Sequence, residues 1–302
     1  MPANDSLIIL GPTASGKTAL GVALARLLDG EVISADSRQV YRGLDIGTGK
    51  DLQEFALGGP PVAHHLIDIA DPGGEYNVFQ FQRDFHAAFA DIRGRGRLPM
   101  LVGGTGMYLD AALSKTMMIP VPHNPALRAT MEPMSTELLQ EKLAALKPDL
   151  HNTTDLLDRD RIVRAIEIEL FIQDATPAPA PPIHPLVLGV AWDRKHLRQR
   201  IASRLKARLE GGLIEEVEDL IAAGCSWERL ELLGLEYRNV SQFLRGKIKS
   251  RNDLYQKLSG EIGQFAKRQD TWFRRMERNG IEIHWIDEGR LDLALAVIRA
   301  HQ

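Results

Sequence analysis

The stretch Gly11-Pro12-Thr13-Ala14-Ser15-Gly16-Lys17-Thr18 decides the fold, because it matches the phosphate-loop pattern G-x-x-x-x-G-K-[ST] at every fixed position. An apolar run at 7–10 precedes it, and an Ala- and Leu-rich segment at 19–28 follows it. This order predicts a buried strand, a phosphate-binding loop and a helix. The glycines let backbone N–H groups converge on phosphate oxygens, Lys17 adds a cation, and the hydroxyl of Thr18 is available to Mg²⁺.

Further apolar runs indicate the rest of the sheet. Buried strands are predicted at 31–35, 98–102 and 186–190, and the apolar spacing at 78–93 predicts an amphipathic helix. A short strand is also expected at 65–69. Alternating strands and helices predict an α/β fold, with a P-loop NTPase-like parallel sheet flanked by helices.

Polar residues follow the second and third predicted strands. Asp36-Ser37-Arg38-Gln39 comes after the second strand, and a glycine-rich turn containing Thr105 comes after the third. Ligands of parallel sheets bind beyond the carboxyl ends of the strands, so both segments are expected beside the phosphate loop. Asp36 is therefore a candidate for chemistry. The alternative is that Asp36 only caps a helix.

Residues 120–182 differ in composition from the rest of the chain. Prolines separate helical pieces, and the segment closes with the proline-rich run 176–182. We predict a mostly helical insertion at 120–182 within a core formed by 1–119 and 183–302, which has a helical C-terminal region. Arg161 and Arg164 share one helix face of the insertion, where pairing with Glu167 on an exposed surface is the alternative to a functional role.

Charge is unevenly distributed along the chain. The whole chain has a net charge of -3, but 193–278 contains 19 Lys/Arg against 13 Asp/Glu and is therefore +6. This segment carries arginines at 200, 204 and 208 on one predicted helix stripe, and 264–275 interleaves cations with aromatic residues. A polyanionic partner such as nucleic acid would suit both features. An ordinary solvated surface and an amphipathic core helix are the alternatives.

Composition excludes several classes of protein. The single cysteine, Cys225, rules out an internal disulfide and any multi-cysteine zinc site, which fits a reducing compartment. No stretch approaches the roughly 20 apolar residues of a membrane span, and the first apolar run is too short for a signal peptide. We therefore expect a cytoplasmic protein that does not contact membranes. A monomer is a separate expectation that does not follow from composition.

Taken together, the motifs resemble those of the tRNA dimethylallyltransferase (isopentenyltransferase) family. The resemblance spans almost the whole chain in family order. It rests on these stretches: 11–18, 34–41, 45–48, 64–68, 103–108, 161–167, 200–204, 212–216 and 266–273.

The resemblance implies transfer of a dimethylallyl group from dimethylallyl diphosphate to N6 of the adenosine 3′ to the anticodon in tRNA. Implied partners are the tRNA anticodon stem-loop and the prenyl donor, and the implied cofactor is Mg²⁺, held by Thr18. The implied catalytic residues are Asp36 as general base, Thr105 and Lys17. The implied diphosphate-binding residues are Gly11, Pro12, Thr13, Ala14, Ser15, Gly16, Lys17, Thr18 and Arg200. The implied tRNA-binding residues are Asp36, Ser37, Arg38, Gln39, Thr105, Arg128, Asp160, Arg161, Ile162, Val163, Arg164, Lys267, Arg268 and Arg274.

Three stretches depart from the pattern of many family members. Thr48-Gly49-Lys50-Asp51 replaces Thr-Ala-Lys-Pro, and Gly234-Leu235-Glu236-Tyr237-Arg238 replaces a stretch that begins Gly-Tyr-Lys-Glu. Before Ala266, Ile262-Gly263-Gln264 replaces the usual Thr-Arg-Gln and lacks its arginine. All three are expected in tRNA-contacting parts, so we expect them to alter RNA contact more than transfer chemistry.

Two other functions compete with prenyl transfer. A small-molecule kinase would share the phosphate loop but would leave the basic and aromatic C-terminal third without a purpose. A non-catalytic RNA-binding switch would leave Asp36 and Thr105 without one.

Overall fold

The computed structural model describes residues 4–147, 158–173 and 175–301. Its centre is one six-stranded sheet with the strand order β3-β2-β4-β1-β5-β6, in which every neighbouring pair is parallel. The strands are β1 (Ser6–Leu10), β2 (Gly30–Ala35), β3 (His64–His65), β4 (Leu98–Gly103), β5 (Pro185–Ala191) and β6 (His284–Asp287). Helices flank this sheet, so the predicted P-loop NTPase-like α/β fold is confirmed.

The described residues form twelve α-helices. They are α1 (Lys17–Leu27), α2 (Val78–Gly94), α3 (Gly106–Leu113), α4 (Pro125–Met131), α5 (Thr136–Leu146), α6 (Arg159–Gln173), α7 (Arg194–Glu210), α8 (Leu213–Ala222), α9 (Trp227–Leu232), α10 (Leu235–Leu244), α11 (Arg251–Arg278) and α12 (Leu291–Ala300). A short 3₁₀ helix spans Leu52–Phe55. The predicted strands at 31–35, 98–102 and 186–190 and the predicted helix at 78–93 are all present.

The sheet is buried on both faces, as the unbroken apolar strands require. Successive side chains of a strand point to opposite faces. Leu7 and Ile9 of β1 accordingly join the hydrophobic cluster that includes α1 and α12. Ile8 and Leu10 join the cluster that includes α2, α3 and α11. These two helical layers hold the strands in place and leave their carboxyl ends free to carry loops.

Residues Lys115–Ala180 form a compact unit of their own, and Met1–Ser114 with Pro181–Gln302 form the other. Within Lys115–Ala180, helices α4, α5 and α6 pack around a separate core that includes Met131, Leu139 and Ile162. The two ends of this unit run side by side, because Met117 donates a backbone hydrogen bond to Ala178 and Ala180 donates one to Lys115. This unit overlaps the predicted insertion at 120–182.

The strand predicted at 65–69 is wrong beyond its first residue. Extended structure ends at His65, since Leu66 and Asp68 have positive φ values of 61° and 56°. The backbone then turns so that Asp68 and Ala70 donate hydrogen bonds to the carbonyl groups of Gln39 and Val40. None of the helices built by the described residues is long and apolar enough to cross a membrane.

Candidate active site

The phosphate loop joins β1 to α1 at the carboxyl edge of the sheet. Its backbone enters the left-handed region at Ala14 (φ 64°) and again at Gly16 (φ 89°), which is the N-cap of α1. No side chain caps this helix, so its first-turn N–H groups stay available at the positive end of the helix dipole. The loop therefore has the conformation that an anion site needs.

Gln269, in the middle of α11, ties the phosphate loop to the loop after β4. Its Oε1 atom accepts a hydrogen bond from the backbone N–H of Thr13 at 2.8 Å. Its Nε2 atom donates to the carbonyl oxygen of Gly104, also at 2.8 Å. Gln269 is buried, so these two bonds satisfy backbone groups that water reaches poorly. One amide side chain thus sets the spacing between two loops of the site.

Helix α7 supports the phosphate loop from the other side. Arg200 donates from Nε to the carbonyl oxygen of Ala14 at 2.8 Å, and its guanidinium lies 4.3 Å from the ring centroid of Trp192. The indole of Trp192 donates to the carbonyl oxygen of Ser15 at 2.8 Å. One turn after Arg200, the Nη2 atom of Arg204 donates to the hydroxyl of Thr13. Two of the three arginines of the predicted stripe, Arg200 and Arg204, therefore contact the phosphate loop.

Burial and neighbouring positive charge lower the pKa values of two cations at this site. Burial lowers the pKa of Lys17 to about 8, opposed by Asp36 and reinforced by Arg204 and Arg208. Burial and the neighbouring Arg208 lower the pKa of Arg204 to about 10. Positive charge held this closely is stabilised by an arriving anion.

Asp36 lies at the end of β2 and lines the same cavity as Lys17, Thr18 and Arg204. Its Oδ1 atom accepts backbone hydrogen bonds from Arg38 at 2.9 Å and from Gln39 at 3.4 Å. No helix begins within the described residues that directly follow Asp36, so the carboxylate closes a turn and does not cap a helix as the alternative had it. The same carboxylate also faces the cavity in which the phosphate loop presents its cation.

Thr105 and Ser37 bring the ends of β4 and β2 together. The Oγ1 atom of Thr105 accepts a hydrogen bond from the backbone N–H of Ser37 at 3.1 Å. This bond uses an acceptor lone pair and leaves the hydroxyl hydrogen able to donate to a ligand.

Two acidic residues of the site were missed in the sequence. Asp51 and Glu54 line the same cavity as Lys17, and the sequence around them gave no signal for a site. Asp51 precedes the 3₁₀ helix Leu52–Phe55, and Glu54 lies in it. Burial raises the pKa of Glu54, and the charge of Asp51 adds to this rise. Among the described residues, the buried Oε2 atom of Glu54 has no hydrogen-bond partner.

A carboxylate from α8 fixes the loop that leads to Asp51. Glu216 accepts backbone hydrogen bonds from Asp45 at 2.9 Å, Ile46 at 2.6 Å and Gly47 at 3.0 Å. Lys50 is fully buried and donates to the carboxylate of Asp45 at 2.6 Å. These bonds tie the loop after β2 to α8 and satisfy its backbone N–H groups.

The segment 264–275 of α11 has one buried face and one exposed basic face, so it fits both the core-helix and the RNA-binding interpretations of its sequence. Ala266 and Phe273 are buried in the core, as an amphipathic helix requires. The predicted tRNA-binding cations Lys267, Arg268 and Arg274 are exposed on the outer face.

The predicted tRNA-binding residues of Lys115–Ala180 lie on or around α6. Arg128 and Arg164 both pair with the buried carboxylate of Glu167, at 2.7 Å and 3.1 Å. Hydrogen bonding from Arg128 lowers the pKa of Glu167 to about 2. Ile162 and Val163 are buried, whereas the side chain of Arg161 is 62% exposed and lies 3.7 Å from Asp158. Asp160 is exposed in the first turn of α6. The pairing that the sequence offered as an alternative is present for Arg164.

Comparisons with known proteins agree on one family. The family described as IPP transferase matches residues 39–276, and the one described as isopentenyl transferase matches residues 5–58. The chain is 60% identical to tRNA dimethylallyltransferase 2 of Syntrophotalea carbinolica over 93% of each chain. It is 58% identical to tRNA dimethylallyltransferase 1 of Geotalea uraniireducens over 93% of this chain and 92% of that one. The solved tRNA isopentenylpyrophosphate transferase of Bacillus halodurans superposes with a TM-score of 0.68 at 33% identity, covering 98% of this chain and 94% of that one.

Proposed function

This chain belongs to the IPP transferase family, and we propose a mechanism in which its phosphate loop and Asp36 share one reaction. The chain transfers a dimethylallyl group from dimethylallyl diphosphate to N6 of the adenosine 3′ to the anticodon in tRNA. The bond between the allylic carbon and the diphosphate oxygen breaks, a bond from N6 to that carbon forms, and N6 loses a proton.

One observation carries this proposal: Asp36 lines the same cavity as Lys17 and the phosphate loop. A carboxylate beside a phosphate-binding cation places a proton acceptor next to the point where the leaving group departs. Asp36 is the general base that takes the proton from N6, a role that typically contributes 10²–10⁴-fold in rate.

The leaving diphosphate gains negative charge as its bond to carbon breaks. The N–H groups of the phosphate loop, Lys17 and Arg200 stabilise that charge, which is the usual largest contribution of such a site. The hydroxyl of Thr105 orients a diphosphate oxygen. The adenine must leave its stack to reach Asp36, as base-modifying enzymes require.

Mg²⁺ fits the donors of this cavity. The oxygens of Thr18 and Glu54 line it, and the buried Oε2 atom of Glu54 lacks a partner in the described part of the chain. Mg²⁺ binds oxygen ligands, keeps several of its own waters and contacts substrate phosphates. It therefore needs only one or two oxygens from the protein. Thr18, with Glu54 nearby, would hold the ion, and the bound ion would supply positive charge to the diphosphate.

The exposed cations Lys267, Arg268 and Arg274 of α11 contact the phosphates of the anticodon arm in this proposal. Arg161, exposed on α6, is the best placed of the predicted residues in Lys115–Ala180 for the same purpose. Ser37, Arg38 and Gln39 contact the nucleotides around the target adenosine. We place the enzyme in the cytoplasm as a monomer, a location that fits its single cysteine.

The experiment is to incubate purified protein with labelled dimethylallyl diphosphate, Mg²⁺ and tRNA that lacks the modification. Label should enter RNA with release of one diphosphate per prenyl group, and ATP should be neither required nor consumed. Conversion of ATP to ADP with a phosphorylated small molecule, and no label in RNA, would favour the kinase instead.

A further inference from the structure

Phe265 of α11 places an aromatic side chain at the active-site cavity, and the chemistry above gives it no role. It lines the same cavity as Lys17 and the phosphate loop. Although Phe265 is large and apolar, it is 37% exposed, and no hydrophobic cluster of the described residues includes it. The guanidinium of Arg268 lies 5.8 Å from the centroid of its ring. Core packing therefore leaves this ring accessible to a ligand in the cavity.

The rest of the cavity is polar. Its other lining residues carry charged, hydroxyl or amide side chains, apart from two glycines and Ala14. Ala14 offers little apolar surface, since it is only 6% exposed. Among the described residues, Phe265 is consequently the one large apolar side chain that lines this cavity.

Helix α11 fixes the position of Phe265 relative to the phosphate loop. Gln269 follows Phe265 by one helical turn, so the two side chains share a face of the helix. Gln269 is the residue that accepts a hydrogen bond from the backbone N–H of Thr13. Phe265 and Gln269 both line the cavity, whereas Lys267 and Arg268 between them are exposed and do not line it. The ring is thus anchored to the loop that binds phosphate.

A prenyl donor needs an apolar contact at this place. Dimethylallyl diphosphate joins a charged head to a short apolar tail of five carbons. The tail is attached directly to the diphosphate, so it must lie in the cavity that holds the head. Contact with charged groups alone would not favour the transfer of this tail from water, whereas contact with an aromatic ring does.

We propose that Phe265 recognises the dimethylallyl tail of the donor, while the phosphate loop and Lys17 bind its diphosphate. The inference rests on the proposed function, because it assumes that dimethylallyl diphosphate occupies the cavity. Phe265 thereby supplies the preference for a prenyl diphosphate over a diphosphate without an apolar group. A target base stacked on the ring is a different role, and the experiment below separates the two.

The test compares three kinetic constants of the transfer reaction with Mg²⁺. These are KM for dimethylallyl diphosphate, Ki for inorganic pyrophosphate as an inhibitor competing with the donor, and KM for tRNA. Phe265→Ala should raise KM for the donor about 5- to 30-fold, the size expected when much of a small apolar group loses its contact. Ki for pyrophosphate should stay within about twofold of wild type, because pyrophosphate has no tail. KM for tRNA should also stay within that range.

Two further variants make the comparison specific. Phe265→Leu keeps an apolar side chain and should recover most of the donor affinity that Phe265→Ala loses. The matched control is Leu293→Ala on α12, because Leu293 is 36% exposed and lies outside the cavity. It should change none of the three constants by more than about twofold.

An unchanged KM for the donor in Phe265→Ala would overturn the inference. Equal weakening of donor and pyrophosphate would also overturn it, since the substitution would then have displaced the phosphate loop. A rise in KM for tRNA alone would assign the ring to a base of the RNA. Failure of the proposed function would look different, because wild-type protein would transfer no label to tRNA. Calorimetric affinities for dimethylallyl diphosphate and pyrophosphate, in wild type and Phe265→Ala, would still decide what the ring contacts.

Discussion

Replacing Gln269 with methionine would test whether one buried amide holds the active site together. The substitution keeps the length of the side chain and a high helix propensity, but it removes both hydrogen bonds of the amide. A buried backbone group left without a partner costs about 1–3 kcal/mol. The backbone N–H of Thr13 and the backbone C=O of Gly104 would both lose their hydrogen-bond partner. Since both groups adjoin the cavity and water can replace part of the loss, we expect the free energy of unfolding to fall by about 2–4 kcal/mol.

Urea denaturation followed by circular dichroism measures this change, and pyrophosphate calorimetry measures its effect on the site. The Gln269→Met variant should also bind pyrophosphate more weakly than the wild type, because Thr13 belongs to the loop that binds phosphate. Gln264→Met on the same helix is the control, since Gln264 is exposed and lies outside the site. If Gln269→Met equals this control in both measurements, the two hydrogen bonds do not organise the loop and the reasoning is refuted.

Four further predictions concern charge. Asp36→Asn should keep tRNA affinity and lose about 10²- to 10⁴-fold in kcat, and near-native turnover would show that Asp36 only closes a turn. Pyrophosphate affinity should fall as pH rises through about 8, where Lys17 loses its proton, and this additional fall should be missing in Lys17→Ala. Lys267→Ala and Arg274→Ala should each lower the slope of log K for tRNA against log[salt] by about 0.7–0.9, and unchanged slopes would mean a merely solvated surface. Glu167→Gln should destabilise Lys115–Ala180 by about 3 kcal/mol, because it leaves two arginines without their buried carboxylate. In the wild type, the stability that ionised Glu167 contributes should be present above pH 4.5 and should be lost as pH falls towards 2. Denaturant titrations across that pH range would measure this loss.

The sequence predicted the parts of the fold that depend on local pattern. The phosphate loop has fixed residue types at fixed spacing, and strands buried on both faces read as unbroken apolar runs, so β1, β2, β4 and β5 were predictable. The prediction of a strand beyond His65 was wrong because residues 66 and 68 adopt the left-handed conformation, which ends the strand. Leu and Asp at these positions do not indicate that conformation in the sequence, whereas Gly would.

The loops of the active site were predictable where they follow strands. Asp36 and Thr105 come directly after β2 and β4, and the topology of parallel sheets places such residues together. Asp51, Glu54 and Gln269 reach the site through tertiary packing. Gln269 lies 256 positions from its partner Thr13, a separation that no local pattern encodes. The arginine stripe on α7 was visible as a pattern, but its contacts with Thr13 and Ala14 of the phosphate loop were not.

The side-by-side ends of Lys115–Ala180 have a consequence for how chains of this kind can change. The chain leaves at Lys115 and returns at Ala180 with the two backbones hydrogen-bonded to each other, and the intervening helices have a core of their own. Insertions or deletions between these ends therefore need not displace β4 or β5, which lie outside this unit. Evolution can lengthen, shorten or replace this segment while the residues around the phosphate loop stay under separate selection.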